Sequence, residues 1–282
     1  DVDIPTLAKG TPGLSGADIA NIVNEAALLA ARRNSDKVTM YDFENAKDKV
    51  LMGVERRSMV ISDREKEMTA YHEMGHALAG KFLQHADPVH KVTIIPRGRA
   101  LGLTWHLPNE EFYSKSREYF EDQLVVFMAG RAAERLVFNV MSTGASNDLQ
   151  RATQIARKMV CEWGMSEVVG PVTFHNDSEE VFLGRDFSKT RDHSEETAQI
   201  IDSEVRRILT KAMDKAEELL TDNIVLLHKT SKLLLEREIL DGEELDILVR
   251  GEELPPISKQ AFNALKSMQT EKISTEIKNI NN

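Results

Sequence analysis

The sequence predicts a mainly α-helical protein with one small β-hairpin. Apolar residues recur at the roughly 3.6-residue spacing of amphipathic helices through most of the 282-residue chain. Helix-capping residues stand before three of these periodic runs, at Ser15, Thr39 and Ser62. Strand-like sequence is concentrated in residues 92–106, where two short apolar runs flank a turn that contains proline and glycine.

The first fifty residues predict a small helical unit with a thin core. Pro5 opens a short helix, residues 10–16 form a turn-rich loop, and Ser15 caps the next helix. Thr39 caps a further helix over residues 41–51. The predicted buried face of the second helix consists of Ile19, Ile22, Val23, Ala26, Ala27 and Ala30. Two or three helices bury little surface, so this unit is expected to be part of a domain.

A long helix follows a polar joint at residues 55–58. Ser62 and Glu65 have the spacing of a capping box, which starts a helix that we expect to reach about residue 84. Gly75 lies inside this helix, where glycine costs about 1 kcal/mol relative to alanine. We therefore expect another segment to pack close to the backbone at Gly75.

The remaining elements follow from periodicity and turn residues. Residues 193–220 predict a helix with one buried face, made of Ile201, Val205, Ile208, Leu209, Ala212, Met213 and Ala216. The other predicted elements are strands at 92–95, 101–106 and 171–174, helices at 117–140 and 147–163, shorter helices from Asp222 and Asp241, loops at 141–146 and 184–191, and a polar tail at 257–282.

Composition limits the classes of function. Lys and Arg number 36 against 46 Asp and Glu, and this net charge of −10 argues against a nucleic-acid-binding role. Cys161 is the only cysteine, so no internal disulfide can form, which fits a reducing compartment. We find no signal peptide, and no apolar run approaches the roughly 18 residues of a membrane span, so we expect this chain to be soluble.

The residues with the clearest chemistry are His72-Glu73-Met74-Gly75-His76, which spell H-E-x-x-H. On a helix, His72 and His76 lie on one face and can bind one zinc ion, with a coordination position left for water. Glu73 follows the first ligand and can act as a general base on that water. The motif predicts a metalloprotease, but its five letters alone also occur by chance.

A catalytic zinc ion commonly takes a third protein ligand, and the sequence leaves this residue open. Asp148 follows a loop of small residues and begins a predicted helix, whose dipole favours an ionised carboxylate. Glu134 is the alternative ligand, or else it orients a ligand histidine without touching the metal. Cys161 is a weaker candidate, because zinc–thiolate sites usually contain several cysteines.

Several ordered motifs together resemble the FtsH family of ATP-dependent zinc metalloproteases, over nearly all of the chain up to about residue 256. They are H-E-M-G-H at 72–76, A-L-G-L-T at 100–104, A-G-R-A-A-E at 129–134, T-G-A-S-N-D-L at 143–149 and L-D-G-E-E-L at 240–245. Residues 11–27 resemble the helical lid that ends an AAA ATPase module.

The resemblance implies a domain organisation and a set of site residues. It implies the C-terminal part of an AAA lid at 1–54 and a zinc metalloprotease domain at 55–256. The polar composition of residues 257–282 predicts a flexible tail. It also implies that Asp148 is the third zinc ligand, that Glu134 lies near the site, and that Gly16 and Ala17 lie close to nucleotide in an intact parent protein. Zn²⁺ is the expected cofactor.

The chain departs from the full family pattern. It has no G-x-x-x-x-G-K-[ST] phosphate loop, so we expect it to be a C-terminal part of such a protein, with ATP and Mg²⁺ bound only by the intact parent. The resemblance implies a homohexamer, and a parent anchored in the inner membrane through an N-terminal segment, with the protease domain on the cytoplasmic side.

The expected function is endopeptidase cleavage of unfolded or membrane-derived protein, as the proteolytic part of an ATP-dependent protease of protein quality control. A substrate strand is expected to pair with the edge formed by Ala100, Leu101, Gly102, Leu103 and Thr104, or else this strand is an ordinary hairpin arm. Gly102 suits close approach of a second backbone. The alternative function is a zinc-stabilised assembly or interaction module without catalysis.

Overall fold

Helices dominate the computed structural model of the protein, which describes residues 2–56, 59–98, 100–107, 114–174 and 194–255. The mainly α prediction with a small sheet is confirmed. In chain order the elements are α1 Ile4–Lys9, α2 Gly16–Arg32, α3 Met40–Met52, α4 Asp63–Phe82, β1 Val89–Thr93, β2 Leu103–His106, α5 Arg117–Phe138, α6 Ser146–Cys161, α7 Glu195–Asp222, α8 Ile224–Arg237, β3 Ile239–Asp241 and α9 Gly242–Val249. Within the described ranges, none of the helices has the length and apolar character that crossing a membrane requires.

The starts of three helices follow the capping residues that the sequence predicts. Ser15, Thr39 and Ser62 are the N-cap residues of α2, α3 and α4. The hydroxyl of Ser62 accepts a hydrogen bond from the amide of Glu65 at 3.2 Å. The hydroxyl of Ser15 likewise accepts the amide of Asp18, whereas the amide and hydroxyl of Thr39 donate to the carboxylate of Asp42. All these bonds lie within one turn, which explains why the boundaries could be predicted locally.

Helix α4 is the centre of the larger unit. It is buried without interruption from Ala70 to Gly80, and it packs against α5, α8 and the sheet. A Cβ atom added at Gly75 would lie 2.4 Å from the carbonyl oxygen of Ala129 in α5. The close packing that Gly75 predicts is therefore confirmed, and this contact sets how near α5 lies to the H-E-x-x-H motif.

The sheet contains β2, β1 and β3 in that order, and both pairings are antiparallel. The predicted bounds of its first two strands, 92–95 and 101–106, were wrong at three of their four ends. β1 stops at Thr93, where the hydroxyl of Thr93 accepts the amide of Ile95. β2 starts only at Leu103, because Arg97 and Ala100 close a tight turn with reciprocal backbone hydrogen bonds. β3 has three residues and was not predicted.

The strand predicted at residues 171–174 is absent from the structure. The amide of Phe174 donates to the carbonyl of Cys161 at 2.7 Å, and the amide of Val172 donates to Gly170. These bonds fold the segment back on the end of α6, so it joins no strand of the described sheet. The predicted loop at 184–191 and the tail at 257–282 lie outside the described residues.

The predicted periodicity of α7 is confirmed. Its apolar face belongs to the core that also contains α4, α5, α6, α8 and α9. The members of this face that are buried are Ile201, Val205, Ala212 and Ala216, and those packed against the core are Ile208, Leu209 and Met213. α7 is therefore a helix of an intramolecular bundle, since its apolar face contacts this chain itself.

The N-terminal unit α1–α3 has a thin core, as its length predicts, with Ile22 and Ala26 of α2 buried against α3. Half of the predicted buried face of α2 is wrong. Ile19 and Val23 are 45% and 51% exposed, and Ala27 is also exposed. α3 covers only one stripe of α2 in the described chain, which leaves its other apolar stripe uncovered.

Opposite charges attach this N-terminal unit to the sheet. Asp48 of α3 lies 2.7 Å from the ammonium of Lys91 in β1 and 3.5 Å from the guanidinium of Arg97. Glu44, one turn earlier, lies 3.3 Å from the imidazole of His90. We call these five residues the ionic joint. The acidic groups all belong to α3 and the basic groups all belong to the β1–β2 hairpin, so charge fixes how the two units meet.

Candidate metal centre

Two imidazole rings of α4 meet inside the larger unit. His72 and His76 are separated by one helical turn, so both point towards the same side of α4. Their Nε2 atoms lie 3.0 Å apart, and the exposed fractions of the two residues are 9% and 7%. The predicted helical setting of H-E-x-x-H is confirmed by this geometry.

Asp148 supplies a third ligand atom at the same point. It is the third residue of α6, and its Oδ2 lies 3.3 Å from Nε2 of His72 and 3.4 Å from Nε2 of His76. Two ligands bound at about 2.0–2.1 Å and at the tetrahedral angle lie about 3.3–3.4 Å apart. These separations fit three corners of one zinc tetrahedron, so His72, His76 and Asp148 are placed to bind a metal ion.

The hydrogen bonds on the far sides of the rings fix which nitrogens face the centre. Nδ1 of His76 lies 2.7 Å from the carbonyl oxygen of Val126, which can only accept, so this nitrogen carries the proton. Nδ1 of His72 likewise donates to Glu134 at 2.7 Å. In the neutral rings, both Nε2 lone pairs then point at one place beside the Asp148 carboxylate. Such a set of lone pairs and negative charge is stabilised by a cation.

The pKa values of these groups describe the same preference for positive charge. Burial lowers the pKa of His72, but hydrogen bonds with Asp148 and Glu134 and the charge of Glu73 outweigh it and raise that pKa to about 10. Burial raises the pKa of Asp148, yet hydrogen bonds with His72 and His76 hold it well below its ordinary range. These negative groups would stabilise a divalent cation in the same way.

A glycine makes room for the centre on the α5 side. A Cβ atom added at Gly130 would lie 2.6 Å from Nε2 of both His72 and His76. The sequence shows Gly130 within the 129–134 motif, but its contact with two imidazoles could not be predicted. The available signal was a glycine in the middle of an apolar helix, where its cost in helix stability needs a packing reason.

Glu73 is buried beside the first ligand, with 8% of its surface exposed. The Oγ1 atom of Thr104 lies 2.8 Å from its Oε2 and 2.9 Å from its backbone oxygen. Burial raises the pKa of Glu73, while the charges of His72 and His76 oppose this rise. A carboxylate with a raised pKa accepts a proton more readily than an ordinary glutamate does.

Glu134 lies on the outer side of His72. Its Oε1 accepts a hydrogen bond from Nδ1 of His72, and its Oε2 accepts one from the amide of Ser142 at 3.2 Å. Nδ1 and Nε2 are on opposite edges of an imidazole, so a carboxylate at Nδ1 does not share the ion that Nε2 binds. Of the two roles expected for Glu134, this geometry favours the one in which it orients the ligand without touching the metal.

The expected substrate strand is only partly a strand. Leu103 and Thr104 belong to β2, which is an edge of the described sheet, whereas Ala100, Leu101 and Gly102 precede it. A Cβ atom added at Gly102 would lie 2.8 Å from Cγ of Glu73. Within the described structure, the Glu73 side chain lies against this glycine.

The residues expected near nucleotide lie far along the chain from the centre. Gly16 and Ala17 form the exposed first turn of α2. A Cβ atom added at Gly16 would meet no atom within 4 Å, so packing within the described structure does not require glycine there. Cys161, at the end of α6, is not among the three residues placed to bind a metal.

Comparisons with known proteins agree with this site. Residues 59–248 match the family model described as peptidase family M41, and residues 1–45 match that of the AAA+ lid domain. The chain is similar to ATP-dependent zinc metalloprotease FtsH 4 of Sorangium cellulosum, at 60% identity over 90% of the chain and 40% of the relative. It is similar to ATP-dependent zinc metalloproteases FtsH of Acidobacterium capsulatum, at 54% identity over 91% of the chain, and of Myxococcus xanthus, at 53% over 90%. In both cases the chain spans 40% of the relative's length.

Proposed function

The chain belongs to peptidase family M41, and on that premise we propose that it hydrolyses peptide bonds in extended, unfolded protein segments. The observation that carries the proposal is the convergence of two imidazole Nε2 atoms and one carboxylate oxygen beside Glu73. The implied cofactor is Zn²⁺, for which two histidines and one carboxylate are an ordinary catalytic ligand set.

The chain's own residues supply the remaining parts of hydrolysis. We assign His72, His76 and Asp148 to holding zinc, which when bound acidifies water and polarises a carbonyl group. Glu73 takes the proton from the attacking water and delivers it to the leaving amine nitrogen. Burial disfavours the charged carboxylate and so raises the pKa of Glu73, which makes it a better proton acceptor.

We propose that substrate pairs with the edge of β2 that no described strand covers. Leu103 and Thr104 lie on this edge, and Thr104 contacts Glu73. An extended segment added there would run past the metal centre with its backbone hydrogen-bonded to the strand. Ala100, Leu101 and Gly102 would then lie at one end of the bound segment, outside the strand ladder.

The relatives are named ATP-dependent zinc metalloproteases, and this name extends the proposal from the site to the whole protein. We propose that residues 1–54 and 55–256 act as lid and protease parts of an ATP-dependent zinc metalloprotease, with Gly16 and Ala17 near its nucleotide. Its assembly would be a homohexamer anchored in the inner membrane, with the protease domain on the cytoplasmic side. Its substrates would be unfolded or membrane-derived proteins removed in quality control.

The test is zinc content together with casein hydrolysis for the wild type, Glu73→Gln and Asp148→Asn. We expect one zinc and cleavage for the wild type, and zinc with kcat lowered by about 10²–10⁴-fold for Glu73→Gln. Asp148→Asn should lose most of its bound zinc and most of its casein hydrolysis. Full zinc and activity in Asp148→Asn would overturn this ligand assignment. A wild type that binds zinc but never cleaves would favour the alternative, a zinc-stabilised assembly or interaction module without catalysis.

A further inference from the structure

Thr104 connects the edge strand of the sheet to the glutamate of the metal centre. Its hydroxyl is within hydrogen-bond distance of two acceptors on Glu73, the side-chain Oε2 at 2.8 Å and the backbone oxygen at 2.9 Å. The hydroxyl has one proton, so these two acceptors share or alternate it. β2 therefore reaches the catalytic region through a side chain, in addition to presenting its backbone edge.

Gly102 also lies against the Glu73 side chain. A Cβ atom added at Gly102 would lie 2.8 Å from Cγ and 2.9 Å from Oε1 of Glu73. Gly102 and Thr104 are two residues apart, and one leaves space for the side chain while the other donates to it. The chain at the start of β2 thus shapes a slot that this carboxylate occupies.

The orientation of the buried Glu73 carboxylate depends on the hydrogen-bond donors that reach it. Thr104 donates a hydrogen bond to Oε2 of Glu73, and within the described residues no second donor reaches this carboxylate. The bond to Oε2 restricts rotation of the terminal carboxylate group, which otherwise turns easily because its torsion is broad. A bond at Oε2 therefore also fixes where Oε1 points.

We propose that Thr104 is a positioning residue, which holds the Glu73 carboxylate in the orientation that receives the proton of the attacking water. The inference rests on the proposed function for its chemistry, since a base needs a held orientation only if it acts on water. A fixed geometry of the reacting groups lowers the activation barrier without strengthening substrate binding. Loss of the Thr104 hydroxyl should therefore lower kcat and leave KM nearly unchanged.

A simpler role for the same hydroxyl is to attach β2 to α4 through the backbone oxygen of Glu73. The two roles differ in their consequences. Loss of an attachment would displace the edge strand, weaken substrate pairing and raise KM. Loss of positioning would change the carboxylate orientation while β2 stays in place.

The experiment compares Thr104→Val, Thr104→Ser and the matched control Thr93→Val. Thr93 is also a strand threonine whose hydroxyl bonds to the backbone, but it contacts Glu238 and Ile95 and lies outside the centre. We expect Thr104→Val to keep one zinc and a KM within about twofold of wild type while kcat falls at least tenfold. Thr104→Ser should restore most of kcat, and Thr93→Val should keep wild-type kcat.

Crystal structures of the same variants show the orientation of the Glu73 carboxylate directly, without a measurement of activity. We expect the Glu73 carboxylate to rotate in Thr104→Val and to keep its orientation in Thr104→Ser. An unchanged carboxylate, or a raised KM with kcat unchanged, would overturn the inference while the proposed function stands. If the wild type itself never cleaves, the proposed function fails, and the carboxylate orientation in Thr104→Val still decides whether Thr104 holds it.

Discussion

The Nδ1 atom of His72 lies 2.7 Å from Oε1 of Glu134, on the edge of the imidazole opposite the Nε2 that faces Asp148. The second oxygen of the same carboxylate accepts the amide of Ser142, in the loop that leads to α6. Glu134 therefore contacts both the first histidine ligand and the segment that delivers the aspartate ligand. The Glu134 carboxylate thus links the position of His72 in α4 to that of the loop that precedes Asp148 in α6.

We expect Glu134→Ala to weaken zinc binding by about 10–100-fold, because His72 loses the acceptor that fixes its tautomer and orientation. Glu134→Gln should lose less, since its amide oxygen can still accept from Nδ1. The measurement is a chelator competition at fixed pH. Glu118→Ala, on the exposed start of α5, is the matched control and should bind zinc like wild type. Equal affinity in Glu134→Ala would mean that packing alone orients His72.

Gly130→Ala should prevent normal zinc binding, because its Cβ would lie 2.6 Å from Nε2 of both histidines. Either the rings or α5 must move, and overpacking of this kind costs about 1–3 kcal/mol of folding stability. Metal content and thermal unfolding measure the two effects separately. Gly16→Ala meets no atom within 4 Å and serves as the control. A Gly130→Ala variant with one tightly bound zinc would contradict the close contact.

Lys91→Gln should loosen the N-terminal unit from the sheet. Lys91 and Asp48 are 13% and 6% exposed, and the change leaves Asp48 with a poorer partner in Arg97. A buried polar group without its partner costs about 1–3 kcal/mol. Amide hydrogen exchange should rise in α2 and α3 but not in α4.

The control for this change is Arg157→Gln, which breaks an exposed pair whose members are 58% and 66% exposed. Exposed pairs contribute about 0–1 kcal/mol, so protection should stay at the wild-type level. If Lys91→Gln behaves like this control, the ionic joint does not hold the N-terminal unit in place.

Acid should weaken the same attachment through Glu44. Burial raises the pKa of Glu44, but hydrogen bonds with His90 and Lys47 and the charge of Lys91 outweigh it, so the pKa falls from 4.5 to about 2. A carboxyl group with a lowered folded-state pKa contributes stability above its unfolded value and loses it as pH falls. We expect the loss between pH 4.5 and about 2.

Urea unfolding across this pH window measures the effect. Glu44→Gln should show a flatter dependence of stability on pH than wild type, because it removes a carboxyl group whose pKa is lowered in the folded state. Glu236→Gln changes an exposed glutamate of α8 and should keep the wild-type slope. Parallel slopes for wild type and Glu44→Gln would show that Glu44 does not contribute to acid sensitivity.

Much of the site was determined locally by the sequence. The spacing of His72 and His76 fixes both rings on one face of a helix, because one helical turn separates them wherever that helix packs. Helices α2, α3 and α4 begin directly after the predicted cap residues Ser15, Thr39 and Ser62. Capping hydrogen bonds form within one turn, so these boundaries depend on local sequence. Gly75 likewise predicted a close neighbour, because its cost in a helix needs a compensating contact.

Only the tertiary structure decided contacts between distant segments. The sequence left both Asp148 and Glu134 open as the third ligand. Packing of α5 and α6 against α4 places Asp148 at Nε2 of His72 and Glu134 at Nδ1 of the same ring. Neither the contact of Thr104 with Glu73 nor the three-residue strand β3 has a local signal. Spacing along one element fixes which side chains share a face. Which faces meet depends on how all elements pack at once, and so Ile19 was exposed although it lies on an apolar stripe.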